Sequence, residues 1–163
     1  IITVSDDSAA DLTTLIPDIA PKVRVVPNGG AEIVEQAVGA LPSRITTPFL
    51  FCVANRKPHK NLAVAVRALA RLRTQHPTLT LVVAGEHFPP WQDTLTIARE
   101  LGVADAITEV GVVDDATLRA LYGACAVFLA PSYREGFGLP VIEAIACGAP
   151  VVAADLPWAR AVG

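Results

Sequence analysis

From about residue 48 onward the sequence alternates short apolar runs with longer stretches whose apolar residues recur at helical spacing, and no other feature constrains the fold as tightly. Residues 49–54, Phe-Leu-Phe-Cys-Val-Ala, are apolar throughout, as expected of a strand buried on both faces. Asn61 stands where a helix N-cap is expected. Leu62, Val66, Leu69 and Leu72 follow at helical spacing, with Arg67, Arg71 and Arg73 on the wetter side. A second strand is predicted over 80–84, closed by Gly85, and a second helix over about 92–101, stopped by Gly102. A short strand over 107–110 leads to a helix begun by Asp114 or Asp115 and carrying Leu118, Leu121 and Tyr122. A strand over 126–130, a helix over 140–147 stopped by Gly148 and a last strand over 150–154 complete the series. Strands joined by such helices make right-handed crossovers and pair in parallel. The predicted fold class is therefore α/β, with a doubly wound parallel sheet.

The first 47 residues are less regular. Residues 1–4 read as the end of a strand, and Ser5 caps a helix with Asp6 and Asp7 in its favourable first turn. Residues 23–26 form another strand, ending in Pro27-Asn28-Gly29-Gly30. There are no internal repeats and no low-complexity linkers. At 163 residues and 52% hydrophobic content, the chain can bury one core without staples. Thirteen basic residues against 16 acidic ones argue against a general nucleic-acid or anionic-membrane surface, yet leave room for a local basic pocket. No apolar run approaches the roughly 18 residues needed to cross a bilayer, and the opening residues are not expected to be a signal peptide. Cys52, Cys125 and Cys147 form no close pair, so they read as small buried residues in a reducing, cytoplasmic compartment. The sequence has no Met, so we expect a piece of a longer protein.

Ligands of open α/β sheets bind beyond the carboxyl ends of the strands, so the loops there carry the functional reading. After the strand ending at Ala54 comes Asn55-Arg56-Lys57-Pro58-His59-Lys60-Asn61, three cations just ahead of a helix N-terminus that itself favours anions. Arg and Lys there suit a phosphate or pyrophosphate; a solvated basic loop is the plainer alternative. After the strand ending at Ala130 comes Pro131-Ser132-Tyr133-Arg134-Glu135-Gly136-Phe137-Gly138-Leu139-Pro140. Its glycines permit close backbone approach to a ligand, and Pro140 fits the first helical position. The N–H groups of Gly138, Leu139 and Val141 would then face an anion. On one continuous helix Glu135 and Glu143 would stand about 12 Å apart; with Glu135 in the loop, both can line one pocket. Acidic decoration of a helix start is the alternative for Glu143. Pro27-Asn28-Gly29 alone is a turn signal.

The ordered set Val4-Ser5, Pro27-Asn28-Gly29, Arg56…Lys60-Asn61 and Glu135-Gly136-Phe137-Gly138-Leu139-Pro140…Glu143-Ala144…Cys147-Gly148…Pro150-Val151-Val152 resembles the GT-B retaining glycosyltransferases of family 4. The variant Asn-Arg-Lys-Pro-His-Lys-Asn-Leu looks most like mannosyltransferase-type members. The resemblance implies a Rossmann-like C-terminal half of a GT-B enzyme. Residues 1–47 would be the end of the N-terminal domain and the interdomain connection, and 48–163 a nucleotide-sugar-binding domain truncated at its C-terminal end. Implied as catalytic are Arg56, Lys60 and Glu135: the two cations hold the donor diphosphate, and Glu135 contacts sugar hydroxyls. Implied as donor-binding are Asn28, Gly29, Val112, Gly136, Phe137, Gly138, Leu139 and Glu143. Among these, Glu143 takes the ribose, and the loop of Val110, Gly111, Val112 and Val113 sits by the base.

The implied reaction is hexosyl, in particular mannosyl, transfer with retention. GDP-mannose is the favoured donor, a UDP-sugar the rival. No Asp-x-Asp occurs, the pairs Asp6-Asp7 and Asp114-Asp115 read as helix caps, and the two cations suffice to neutralise the leaving diphosphate. No cofactor and no metal are expected. The acceptor-binding N-terminal domain is absent from this sequence, so the fragment alone is expected to be inactive; the parent enzyme could sit peripherally on a membrane. Asn55 stands where the family commonly has Gly, and Gly30 lacks the usual following Asp. His59, His76 and His87 are not expected to act in catalysis, Trp91 and Trp158 are expected to pack, and Phe88-Pro89-Pro90 to form a plain loop. A dinucleotide oxidoreductase is disfavoured, since no GxGxxG opens the first βα turn and Gly136-x-Gly138 lies late. A non-catalytic nucleotide-sugar-binding or scaffold domain remains the alternative.

Overall fold

The computed structural model describes residues 1–29, 32–55, 57–86 and 92–162, with the backbone alone for Gln92 and Asp93. Arg56, His87, Trp91 and Phe88-Pro89-Pro90 lie outside the described residues. The elements in chain order are β1 (Ile2–Thr3), α1 (Asp6–Leu15), β2 (Arg24–Val25), β3 (Phe49–Val53), α2 (Leu62–Leu72), β4 (Thr80–Ala84) and α3 (Gln92–Glu100). Then follow β5 (Ile107–Gly111), α4 (Asp115–Ala124), β6 (Val127–Ala130), α5 (Leu139–Ala146), β7 (Val151–Ala153) and α6 (Pro157–Arg160).

Five strands form one sheet in the order β5-β4-β3-β6-β7, every pair parallel. Two crossovers run outward from β3 to one edge; the chain then returns to β6 and continues to the other. This is the doubly wound α/β sheet expected from the alternation of patterns. The side-chain period of two divides the core between its faces. Phe49, Phe51, Val82 and Phe128 pack with Leu121, Tyr122, Val141 and Trp158 on one face. Leu50, Cys52, Leu81 and Val83 pack with Leu62, Val66, Leu69 and Ala98 on the other. Strands buried on both faces have no polar side to show, which is why β3 and β4 read as unbroken apolar runs.

Residues 1–29 stand apart from this sheet. β1 pairs with β2 in parallel to form a two-stranded sheet beside α1. Ser5 caps α1 as expected, its hydroxyl accepting from the Ser8 N–H at 3.1 Å, and α1 buries no residue fully. Two ties link α1 to the chain after β6: the Ser8 hydroxyl donates to the Gly136 carbonyl at 3.3 Å, and Asp11 pairs with Arg134. Among the described residues, no helix is long and apolar enough to cross a membrane.

Candidate functional site

The order of the sheet puts its topological switch point between β3 and β6. The loops after these two strands leave toward helices on opposite faces, which opens a crevice at their carboxyl ends. Three contacts tie the loops together across it. The Tyr133 N–H donates to the His59 carbonyl at 2.8 Å, and the Asn61 side-chain amide donates to the Pro131 carbonyl at 3.1 Å. The Lys60 Nζ meets Glu135 Oε1 at 2.6 Å. Their side chains are 14% and 17% exposed, so this pair is sheltered, and its attraction exceeds that of a fully solvated pair. Lys60, Glu135, Ser132 and Gly138 line the crevice, with Ala54 and Ala130 among the residues at its base.

Asn61 corrects one expectation. Its backbone is left-handed, at φ 52°, and its side chain makes no cap hydrogen bond. A capping side chain needs an extended backbone to reach back to the helix N–H groups. A tight turn over Pro58–Lys60 runs straight into α2, so the Asn61 amide is turned toward the neighbouring loop instead. Asn is among the few side-chain-bearing residues that tolerate this conformation.

α5 begins at Leu139, which puts Pro140 at the second helical position rather than the first. Gly138 precedes it at φ 87°, and a Cβ there would lie 3.1 Å from the Cε3 and Cζ3 atoms of Trp158. A side chain at 138 therefore meets both an unfavourable backbone and a buried indole. The N–H of Leu139 has no intrahelical acceptor and is available to an anion. The N–H of Val141, expected to be free, donates to the Gly138 carbonyl at 2.9 Å, because the first turn of α5 is tightly wound. Gly136 is exposed, its carbonyl held by Ser8. Phe137 lines a cleft between this loop and the first segment, opposite Val4, Ser5, Val25 and Pro27. Asn28 and Gly29, next along the chain, are exposed, as is Val112 after β5.

Glu143 does not line the crevice with Glu135; it projects from α5 to Tyr122 on α4, whose hydroxyl donates to Glu143 Oε2 at 2.9 Å. Burial pushes the Glu143 carboxyl above the usual carboxylate range, and the Tyr122 hydrogen bond opposes that shift. Burial also drives the Tyr122 hydroxyl upward, so it stays protonated. In the sequence Tyr122 reads only as part of the apolar stripe of its helix. A buried tyrosine hydroxyl needs a partner, and that requirement was the available signal. Burial holds Cys52 up at about 12 and Cys125 at about 11, which suits inert packing thiols. Trp158 is buried beneath the loop, as expected of a packing residue. No group of three or more His, Cys, Asp or Glu placed to hold a metal ion occurs among the described residues.

The family profile described as glycosyl transferases group 1 matches residues 35–162. The chain belongs to that family. Among curated relatives, it is 32% identical over 155 residues to the MMP alpha-(1->4)-mannosyltransferase of Mycolicibacterium hassiacum, covering 94% of this chain and 36% of that protein. It is 44% identical over 108 residues to the D-inositol 3-phosphate glycosyltransferase of Stackebrandtia nassauensis, covering 60% of this chain and 24% of the relative. The chain thus spans well under half the length of these curated relatives. Among solved structures, Anabaena HepE in complex with UDP and glucose superposes with a TM-score of 0.79 at 24% identity, covering 98% of this chain and 45% of HepE. That likeness establishes the shared fold. It agrees with the GT-B architecture that the family resemblance implied.

Proposed function

We propose that this chain is the donor-binding domain of a glycosyltransferase that moves a hexosyl group from a nucleotide diphosphate sugar, with retention at the anomeric carbon. The observation that carries this reading is the sheltered Lys60–Glu135 pair at the switch point, in a chain of the glycosyl transferases group 1 family. A nucleoside diphosphate leaves well only if its developing charge is neutralised, and a cation fixed in a crevice does this without reorganisation. Lys60 takes that role together with Arg56, assigned from the sequence resemblance. Glu135, already oriented by Lys60, accepts hydrogen bonds from sugar hydroxyls, and the Leu139 N–H meets phosphate or sugar oxygen. Glu143 takes the ribose, and the chain after β5 at Val112 lies by the base. Asn28, Gly29 and Phe137 edge the cleft toward the acceptor, which the rest of the protein holds.

Mannose is the favoured sugar. The Mycolicibacterium relative is named a mannosyltransferase, as is O-antigen chain mannosyltransferase B of Escherichia coli, 34% identical over 110 residues. HepE and its UDP-bound structures favour a UDP-sugar instead. Calorimetric titration of GDP, UDP, ADP and NAD in the presence of EDTA separates these donors. Binding of GDP alone supports GDP-mannose, and binding of UDP alone supports the rival. Loss of all binding in EDTA would overturn the metal-independent reading, and binding of NAD alone would overturn the transferase reading itself.

A further inference from the structure

Glu143 is held by a residue that plays no part in the scheme above. Tyr122 is fully buried on α4, and its ring is boxed by aromatic edges. Its centroid lies 5.3 Å from that of Phe51 and 5.2 Å from that of Phe128, with interplanar angles of 70° and 71°. Such edge-to-face packing leaves the ring little freedom, and the direction of the hydroxyl is set with it. That hydroxyl donates to one carboxylate oxygen of Glu143, Oε2, at 2.9 Å. No donor among the described residues engages the other oxygen, Oε1. Glu143 belongs to the half-buried wall of α5, so an unclamped carboxylate could turn between rotamers.

We propose that Tyr122 is a positioning residue for nucleotide recognition: it fixes Glu143 through Oε2 so that Oε1 is presented to the vicinal diol of a ribose. This rests on the reading of Glu143 as the ribose ligand. A carboxylate accepts from both hydroxyls of a cis-diol only at a defined orientation, and a neutral donor held in an apolar cage supplies that orientation without cancelling the charge. The buried hydroxyl cannot lose its proton near neutral pH, so it acts only as a donor to the carboxylate.

The test compares each ribonucleoside diphosphate, UDP and GDP, with its 2′,3′-dideoxy analogue, by calorimetry on the wild-type chain, Tyr122→Phe and Glu143→Gln. The dideoxy analogue keeps base and diphosphate and lacks only the diol, so its affinity reports whether each variant is folded and otherwise competent. In the wild type the ribonucleotide binds about tenfold tighter than its analogue, the scale of one hydrogen bond to a charged group. Tyr122→Phe removes most of that preference while analogue affinity stays unchanged; Glu143→Gln reduces it as well. If Glu143→Gln loses the preference and Tyr122→Phe retains it in full, the positioning role is wrong and the ribose role of Glu143 stands. If the wild type binds the ribonucleotide and its analogue equally, the ribose role itself fails, and the Tyr122 proposal falls with it. A drop in analogue affinity equal to the drop for the ribonucleotide in Tyr122→Phe marks a general packing role and also overturns the proposal.

Discussion

Three influences act on the ionisation of Glu143: burial disfavours its charge most, the Tyr122 hydroxyl favours it, and the Asp115 carboxylate adds to the effect of burial. Burial wins, and the carboxyl titrates above the ordinary glutamate range. The folded chain therefore binds this proton more readily than the unfolded chain. Stability falls as pH rises through the interval between the two pKa values, and the full penalty is present above the folded one. Replacing the carboxyl with an amide removes it while leaving an acceptor for Tyr122. Glu143→Gln is accordingly expected to be more stable than wild type toward urea at about pH 7, with the gap closing only at about pH 3, below the ordinary glutamate value, where the carboxyl is protonated in both states. A gap independent of pH would show that desolvation of the charge is not the cause. Residue-scale features of this kind were only partly legible in the sequence. Glu135 and Glu143 stood out as carboxylates eight positions apart, but their separate surroundings depend on where α4 packs, and no spacing reports that.

Among the elements, legibility follows burial. β3 and β4 were readable almost to the residue, because strands with core on both faces must be apolar throughout. Helix starts were read less well. Ser5 and Asp114 cap α1 and α4 as their chemistry suggests, whereas Asn61 and Pro140 precede or open their helices in other ways. Both exceptions belong to switch-point loops, where contacts across the crevice outweigh local capping preference. α1 offers a contrast, since it buries no side chain fully and depends on local interactions and its two ties to the chain after β6. Ser5→Ala should therefore cost about 1 kcal/mol of helix stability. Hydrogen exchange should show that loss as faster exchange in α1, with β3 and β4 unchanged. Equal acceleration in α1 and in the central strands would mean that α1 unfolds only with the whole domain.

The whole molecule turns on one topological fact. β3 lies between β4 and β6, so its following loop faces the loop after β6 across a crevice, and the chemistry of both loops converges there. Sequence alternation was sufficient to predict the doubly wound sheet, and knowledge of such sheets was sufficient to nominate these loops. The contact between Lys60 and Glu135, 75 positions apart, required the fold. The claim that this contact marks a diphosphate site is most directly tested by titrating GDP and UDP, each against its parent nucleoside, into wild type and Lys60→Ala, with Lys22→Ala as a remote charge control. Wild type is expected to prefer the diphosphate strongly. Lys60→Ala should lose about tenfold or more of that preference, the scale of a charge-assisted hydrogen bond, with nucleoside affinity and the Lys22→Ala control unaffected. Retention of the full diphosphate preference in Lys60→Ala would show that Lys60 does not hold the diphosphate.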